Sequence, residues 1–205
     1  MPTSPCIKGT VLVQVVEDIE QLLATGAVSG DGLEQWLRPE DLRILAEHPL
    51  ASGWYPIETY ARMNEFLRDV AGRGRDSYLR ELGRRSARHF LASGYYQQVV
   101  YARRTTLQAT MDPEERFEAF GYDLRIFISL STSILNFSRW TPRVDPDHVL
   151  RYRIEVTEAS ALPEVLCWRS DGFINELAAA HGHPELWRWE RVAPDVIFFR
   201  MTRGL

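Results

Sequence analysis

From Thr10 onward the apolar positions Val11, Leu12, Val15, Val16, Ile19, Leu22 and Leu23 recur at helical spacing, and Gln14, Glu17, Asp18, Glu20 and Gln21 fill the opposite face. This predicts a helix over 10–25, started by the Thr10 side chain and ended by Gly26. The β-branched richness of Val11 to Val16 keeps a strand open as the alternative for its first half. A short helix is expected over 31–37, and another from Pro39 to just before Pro49. A stronger one starts at Pro56, carries the stripe Ile57, Tyr60, Met63, Phe66, Leu67 and Val70, and ends at Gly72 and Gly74. The next, over 76–92, would bury Tyr78, Leu79, Leu82, Gly83, Ala87, Phe90 and Leu91, with Gly83 giving up about 1 kcal/mol of helix propensity for close helix approach. The pattern over 95–107 is ambiguous, and Asp112 with Pro113 opens a further helix through Phe120.

After that the period changes. Residues 124–140 read as a helix end running into a strand, with Ile126, Ile128, Leu130, Ile134, Leu135 and Phe137 in a Ser/Thr-rich setting. Over 148–157, Leu150, Tyr152, Ile154 and Val156 alternate with Arg151, Arg153, Glu155 and Thr157, the pattern of a half-exposed strand. Pro163 opens a helix to Ala180 that buries Val165, Leu166, Phe173, Ile174, Leu177 and Ala178. The segments 186–192 and 196–202 then form a hairpin around Ala193, Pro194 and Asp195. The fold class expected is α+β: N-terminal helices packed on a twisted antiparallel sheet, with a long helix before a C-terminal hairpin. Neither a repeat nor a linker interrupts the chain, so residues 1–205 are read as a single domain with one core.

The composition is that of an ordinary soluble chain, with 45% hydrophobic, 25% charged and 11% aromatic residues among 205. No apolar run reaches the roughly 18 to 20 residues of a membrane helix, and the start lacks the basic and apolar regions of a signal peptide, so a cytoplasmic location is expected. A net charge of −4 argues against generic nucleic-acid binding. Cys6 and Cys167 are too few for a disulfide framework and read as free thiols, Cys167 as an inert one among Val165, Leu166 and Trp168.

Candidate chemistry is sparse. His181 and His183 have a spacing that places two imidazoles on one metal, with Glu185 as the nearest third ligand; a polar loop after the helix is the plainer reading, and no metal is expected. His89 is either an axial haem ligand or a partly buried helix histidine. Gly72-Arg73-Gly74-Arg75 follows a helix and lacks the lysine and hydroxyl of a phosphate loop, so it reads as a turn. No nucleophile–base set stands at a recognisable spacing, and no enzyme is expected. Arg80, Arg84 and Arg88 recur every four residues, near Arg73, Arg75, Arg85, Arg103 and Arg104. They read either as a solvated face, partly neutralised by Asp76–Arg80 and Glu81–Arg85 pairs, or as a surface for an acidic partner or phosphate ligand. The tryptophans Trp36, Trp54, Trp140, Trp168, Trp187 and Trp189, with Tyr95, Tyr96 and Tyr101, are either core or the lining of an aromatic pocket; Trp187 and Trp189 share one strand face.

Four segments together resemble a known group: Ile7-Lys8-Gly9-Thr10-Val11-Leu12, Trp54-Tyr55-Pro56, Arg80-Glu81-Leu82-Gly83-Arg84-Arg85-Ser86-Ala87, and the helix with Gly172-Phe173 before a closing hairpin. In order and spacing they resemble an uncharacterised myxobacterial paralogous family, over nearly the whole chain. That family looks like the fold group of haem-nitric-oxide-binding (H-NOX) domains, four-vinyl-reductase-type sensor domains and small TRAPP subunits. The resemblance implies helices on a twisted antiparallel sheet with a ligand cavity between them. The Tyr-x-Ser-x-Arg haem clamp of H-NOX domains is absent here, as are cysteines after Cys167 of the kind found in the vinyl-reductase-type sensors. What carries over is a fold and an apolar site, with no cofactor.

The expectation is therefore a non-enzymatic small-molecule-binding or signalling module that holds an apolar or aromatic ligand between the 76–92 helix, the 163–180 helix and the sheet. Tyr78, Leu82, Trp168, Phe173, Trp187 and Phe198 are its expected lining, and Arg80, Arg84 and Arg88 its expected partner surface. With no attached output domain, signalling would pass through a protein partner or homodimer, without nucleic acid or membrane. The alternatives are an interaction scaffold without a small ligand, or a haem or gas sensor.

Overall fold

The computed structural model describes residues 2–92 and 112–205. The ambiguous stretch 95–107, with Tyr95, Tyr96, Tyr101, Arg103 and Arg104, lies outside the described residues. The chain enters through a strand that the periodicity did not announce: β1 (Cys6–Lys8) pairs antiparallel with β2 (Trp54–Pro56), Ile7 opposite Tyr55. Ile7 also bridges to Leu135, and Asn136 accepts the Cys6 N–H at 2.6 Å while donating to the Pro2 and Ser4 carbonyls. A three-residue strand is too short to show an alternation, so only the completed fold reveals it.

Helix α1 (Gly9–Ala24) buries Leu12, Val15, Val16 and Ile19, which decides against a strand there. Thr10 does not cap it. The Gly9 and Thr10 N–H groups donate instead to the Gly53 and Ala51 carbonyls, at 2.9 and 3.0 Å. Gly26 closes the helix at a positive φ of 68°, as its position after the last apolar residue suggested. The second helix is shorter than expected: α2 (Gly30–Glu34), capped by the Ser29 hydroxyl. Pro39 opens α3 (Pro39–Glu47), and Pro56 precedes α4 (Ile57–Phe66). A π-helical turn (Leu67–Ala71) follows α4, and both Phe66 and Leu67 are fully buried there. The Gly72–Arg75 stretch is a turn, with Arg73 and Gly74 at positive φ.

Helix α5 (Asp76–Ala92) has its expected bounds. Helix α6 (Pro113–Ile134) continues past the expected end at Phe120, because Leu124 and Ile128 keep its buried stripe going. Strands β3 (Arg139–Val144) and β4 (Tyr152–Thr157), helix α7 (Glu164–Ala180), and the hairpin β5 (Trp187–Ala193) and β6 (Val196–Met201) complete the chain. The four strands form an antiparallel sheet in the order β3-β4-β6-β5, which confirms the α+β class and the closing hairpin. Tyr152, Ile154, Val156, Ile197, Phe199, Met201 and Trp187 point to the buried face. One cluster of buried residues joins this face to the N-terminal helices.

Candidate functional site

The residues expected to line one cavity are spread over separate places. Phe173 and Trp187 lie in an aromatic layer between α6 and its neighbours. Phe117 of α6 stacks on Tyr152 with centroids 4.2 Å apart, Phe120 packs on both Tyr152 and Trp187 at 6.3 Å, and Phe127 stacks on Phe173 at 5.6 Å, which in turn meets Phe90 of α5 at 5.9 Å. Phe90, Phe117, Phe120, Phe127 and Phe173 are only half-buried, whereas Tyr152 and Trp187 are fully covered. Gly121 makes the approach possible, since a Cβ there would lie 2.0 Å from the Tyr152 hydroxyl. That hydroxyl donates to the Phe117 carbonyl at 3.2 Å. Burial pushes the Tyr152 phenol up, so it stays protonated and donating at neutral pH.

Trp168 packs edge-on against Trp189 at 5.1 Å, and Leu82 is buried in the core. Tyr78 sits over the turn at Gly72, whose added Cβ would meet it at 2.7 Å. Phe198 does not belong with these residues. It pairs with Glu190 and Glu155, opposite in sense to Phe199, and so stands on the other face of the sheet, beneath the guanidinium groups of Arg153 and Arg200 at 4.8 and 5.1 Å.

The arginine stripe is engaged within the fold. Arg80 donates to Asp171 at 2.6 Å and to Glu185 at 2.9 Å, Arg84 pairs with Glu185, and Arg88 holds Glu176 at 2.9 Å and Glu81 at 3.1 Å. These contacts tie α5 to α7 and its following loop; Arg80 and Arg84 are mostly covered. They replace the helix-spaced pairs expected from sequence, since Asp76 reaches Arg68 and Arg85 reaches Asp18. Glu185 therefore lies among Arg80, Arg84 and Arg188, and no group of three metal-ligating side chains occurs among the described residues.

Between α1 and α5 a cleft of about 230 Å³ is lined by Gln14, Glu17, Asp18, Gln21, Arg85, Ser86 and His89. Asp18 forms its floor, paired with Arg85 and, at 3.4 Å, with Arg169. Arg169 is 7% exposed and donates at 2.7 Å to Asn64, whose amide donates in turn to the Tyr60 carbonyl. Burial raises the Asp18 carboxyl above its ordinary range in spite of the two arginines, which lower it. His89 is exposed on the rim of this cleft. The spacing of chemical groups along the chain missed this constellation. Its one sequence signal is Arg169, a charge that directly follows the apolar run Val165, Leu166, Cys167 and Trp168. Cys167 is fully buried and its thiol is pushed up to about 12, which makes it inert at neutral pH. The chain matches no protein-family model, no curated protein and no solved structure.

Proposed function

We propose that the chain is a non-enzymatic small-molecule-binding module of the sensor type, which takes an apolar or aromatic ligand against the aromatic layer between α6, α7 and the sheet. The observation that carries this reading is a pair of ring clusters along α6, Phe117 and Phe120 on Tyr152 and Trp187, and Phe127 on Phe173 and Phe90, whose phenylalanines are only half-buried. Rings that pack on one another and still present part of their faces suit a planar apolar guest, which gains burial and stacking together. The resemblance to the H-NOX and vinyl-reductase-type fold group implies a site in the same kind of place, between helices and sheet. The scaffold alternative loses the arginine stripe as its support, because those side chains hold α7 and Glu185. The haem alternative loses His89, which belongs to the polar α1–α5 cleft.

The test is the native mass of freshly purified protein beside its denatured mass, followed by titration with 1-anilinonaphthalene-8-sulfonate. A bound small-molecule mass, or saturable probe fluorescence that Phe127→Ala and Phe120→Ala each weaken, is expected. An empty native mass together with probe binding indifferent to both substitutions would overturn the reading and favour the scaffold.

A further inference from the structure

The α1–α5 cleft is lined throughout by polar side chains and carries more carboxylates than arginines. Gln14, Glu17, Asp18 and Gln21 stand at positions i, i+3, i+4 and i+7, one polar stripe along α1, facing Arg85, Ser86 and His89 of α5. Its lining sets two carboxylates, Glu17 and Asp18, against one guanidinium, that of Arg85. The Ser86 hydroxyl donates to its own helix at the Leu82 carbonyl, and Arg169 reaches Asp18 from behind at 3.4 Å. The one guanidinium inside the cleft belongs to Arg85, seated on Asp18.

The two arginines on Asp18 differ in how firmly they are held. Arg169 is covered and anchored on Asn64, whereas the Arg85 side chain is 52% exposed and rests on Asp18. Asp18 is 13% exposed, so its carboxylate has lost most of its water, and the cations Arg85 and Arg169 stand in for it. Arg85 shows what a cation on this carboxylate looks like, and its side chain stands half in solvent.

We infer that this cleft binds a small organic cation, a guanidinium or primary amine, which replaces the Arg85 head group on Asp18 and places its second donor group on Glu17. Two observations set the class. An anion would have to lie against Glu17 and Asp18, and an apolar guest would desolvate four polar side chains without bonding them. The volume, about 230 Å³, lies below the roughly 300–1,000 Å³ of drug-sized sites, which suits a short chain with a charge at each end. This site is separate from the aromatic layer, and its test does not depend on that reading.

Agmatine, which carries a guanidinium and an ammonium group, is the probe, titrated calorimetrically into the whole protein with butyrate as the anionic control. Saturable binding of agmatine and none of butyrate is expected. Glu17→Gln should weaken it about threefold and Asp18→Asn roughly tenfold or more. Arg85→Ala should strengthen it several-fold, because it removes the internal competitor; a residue that merely supported the fold would not act in that direction. Circular dichroism identifies any variant that has failed to fold, and Glu17→Gln and Arg85→Ala alter exposed side chains, so they keep the test decisive. The proposal is overturned if neither the parent protein nor Arg85→Ala binds agmatine up to about 10 mM, if butyrate binds as tightly, or if Arg85→Ala weakens the binding.

Discussion

Gly83 of α5 and Gly172 of α7 are the points at which the two helices touch backbone to backbone. A Cβ at Gly83 would lie 2.0 Å from the Arg169 carbonyl oxygen, and one at Gly172 would lie 1.9 Å from that of Arg80. The contact is reciprocal, each glycine resting on the carbonyl that stands three residues before the other. Alanine would gain about 1 kcal/mol in helix propensity at either place. That gain is outweighed, since a helix carbonyl cannot step aside as a side-chain tip can, and overpacking of this kind costs about 1–3 kcal/mol or more. Gly83→Ala is therefore expected to lower the unfolding free energy by about 2 kcal/mol, read from urea denaturation. Gly30→Ala, where nothing lies within 4 Å of the added methyl, should leave it nearly unchanged. The Glu-Leu-Gly-Arg stretch that stands out in the sequence thus has a packing reason for its glycine.

At the scale of elements, the joint between α3 and α4 is a buried ion pair. Asp41, fully covered, receives the Arg62 Nε–H at 2.6 Å and Nη2–H at 2.7 Å, and also accepts the Arg38 backbone N–H at the start of α3. Burial pushes the Asp41 carboxyl up, yet these hydrogen bonds and the Arg62 charge together hold it below its ordinary range. A carboxyl that titrates lower in the folded chain contributes its full stability above about pH 4 and loses it as the pH falls through the folded value. Asp41→Asn should cost about 3 kcal/mol at pH 7. The gap to the parent protein should shrink when urea unfolding is repeated near pH 3. Elements of this kind were legible where their information is local: Pro39, Pro56 and Pro163 mark helix starts, and the alternation from Tyr152 marks β4. What depends on register was not. Phe198 and Phe199 are adjacent and equally apolar, and only the pairing of Trp189 with Phe199 decides which ring faces the core. The partners of Arg80 and Arg85 are hidden for the same reason, since Asp171 and Asp18 are distant in sequence and come near only through helix packing.

For the molecule as a whole, α7 connects the layers. Its Asn175 acts as a strand partner: the side-chain oxygen accepts the Trp187 N–H at 2.8 Å, and the amide donates to the Trp187 carbonyl at 3.1 Å. The same helix lies against α5 through the glycine contacts and reaches the α1–α5 cleft through Arg169. At the opposite end of the chain order, Asn136 binds the N-terminal segment to the residues after α6. Neither the helical half nor the sheet can then lose its packing alone, and unfolding should be a single transition. Asn175→Leu tests this directly. It removes both bonds to Trp187 and leaves a buried N–H unsatisfied, while the carbonyl still accepts from Arg188 at 2.7 Å, at a cost of about 2 kcal/mol. The six tryptophans report on both halves, with Trp36 and Trp54 among the N-terminal elements and Trp140, Trp168, Trp187 and Trp189 around the sheet and α7. Far-UV circular dichroism follows mainly the helices. If α7 makes the chain one cooperative unit, the substitution shifts the urea midpoints of fluorescence and dichroism by the same amount. A fluorescence change that comes first, with the helices melting at their original midpoint, would show that the sheet and hairpin unfold on their own.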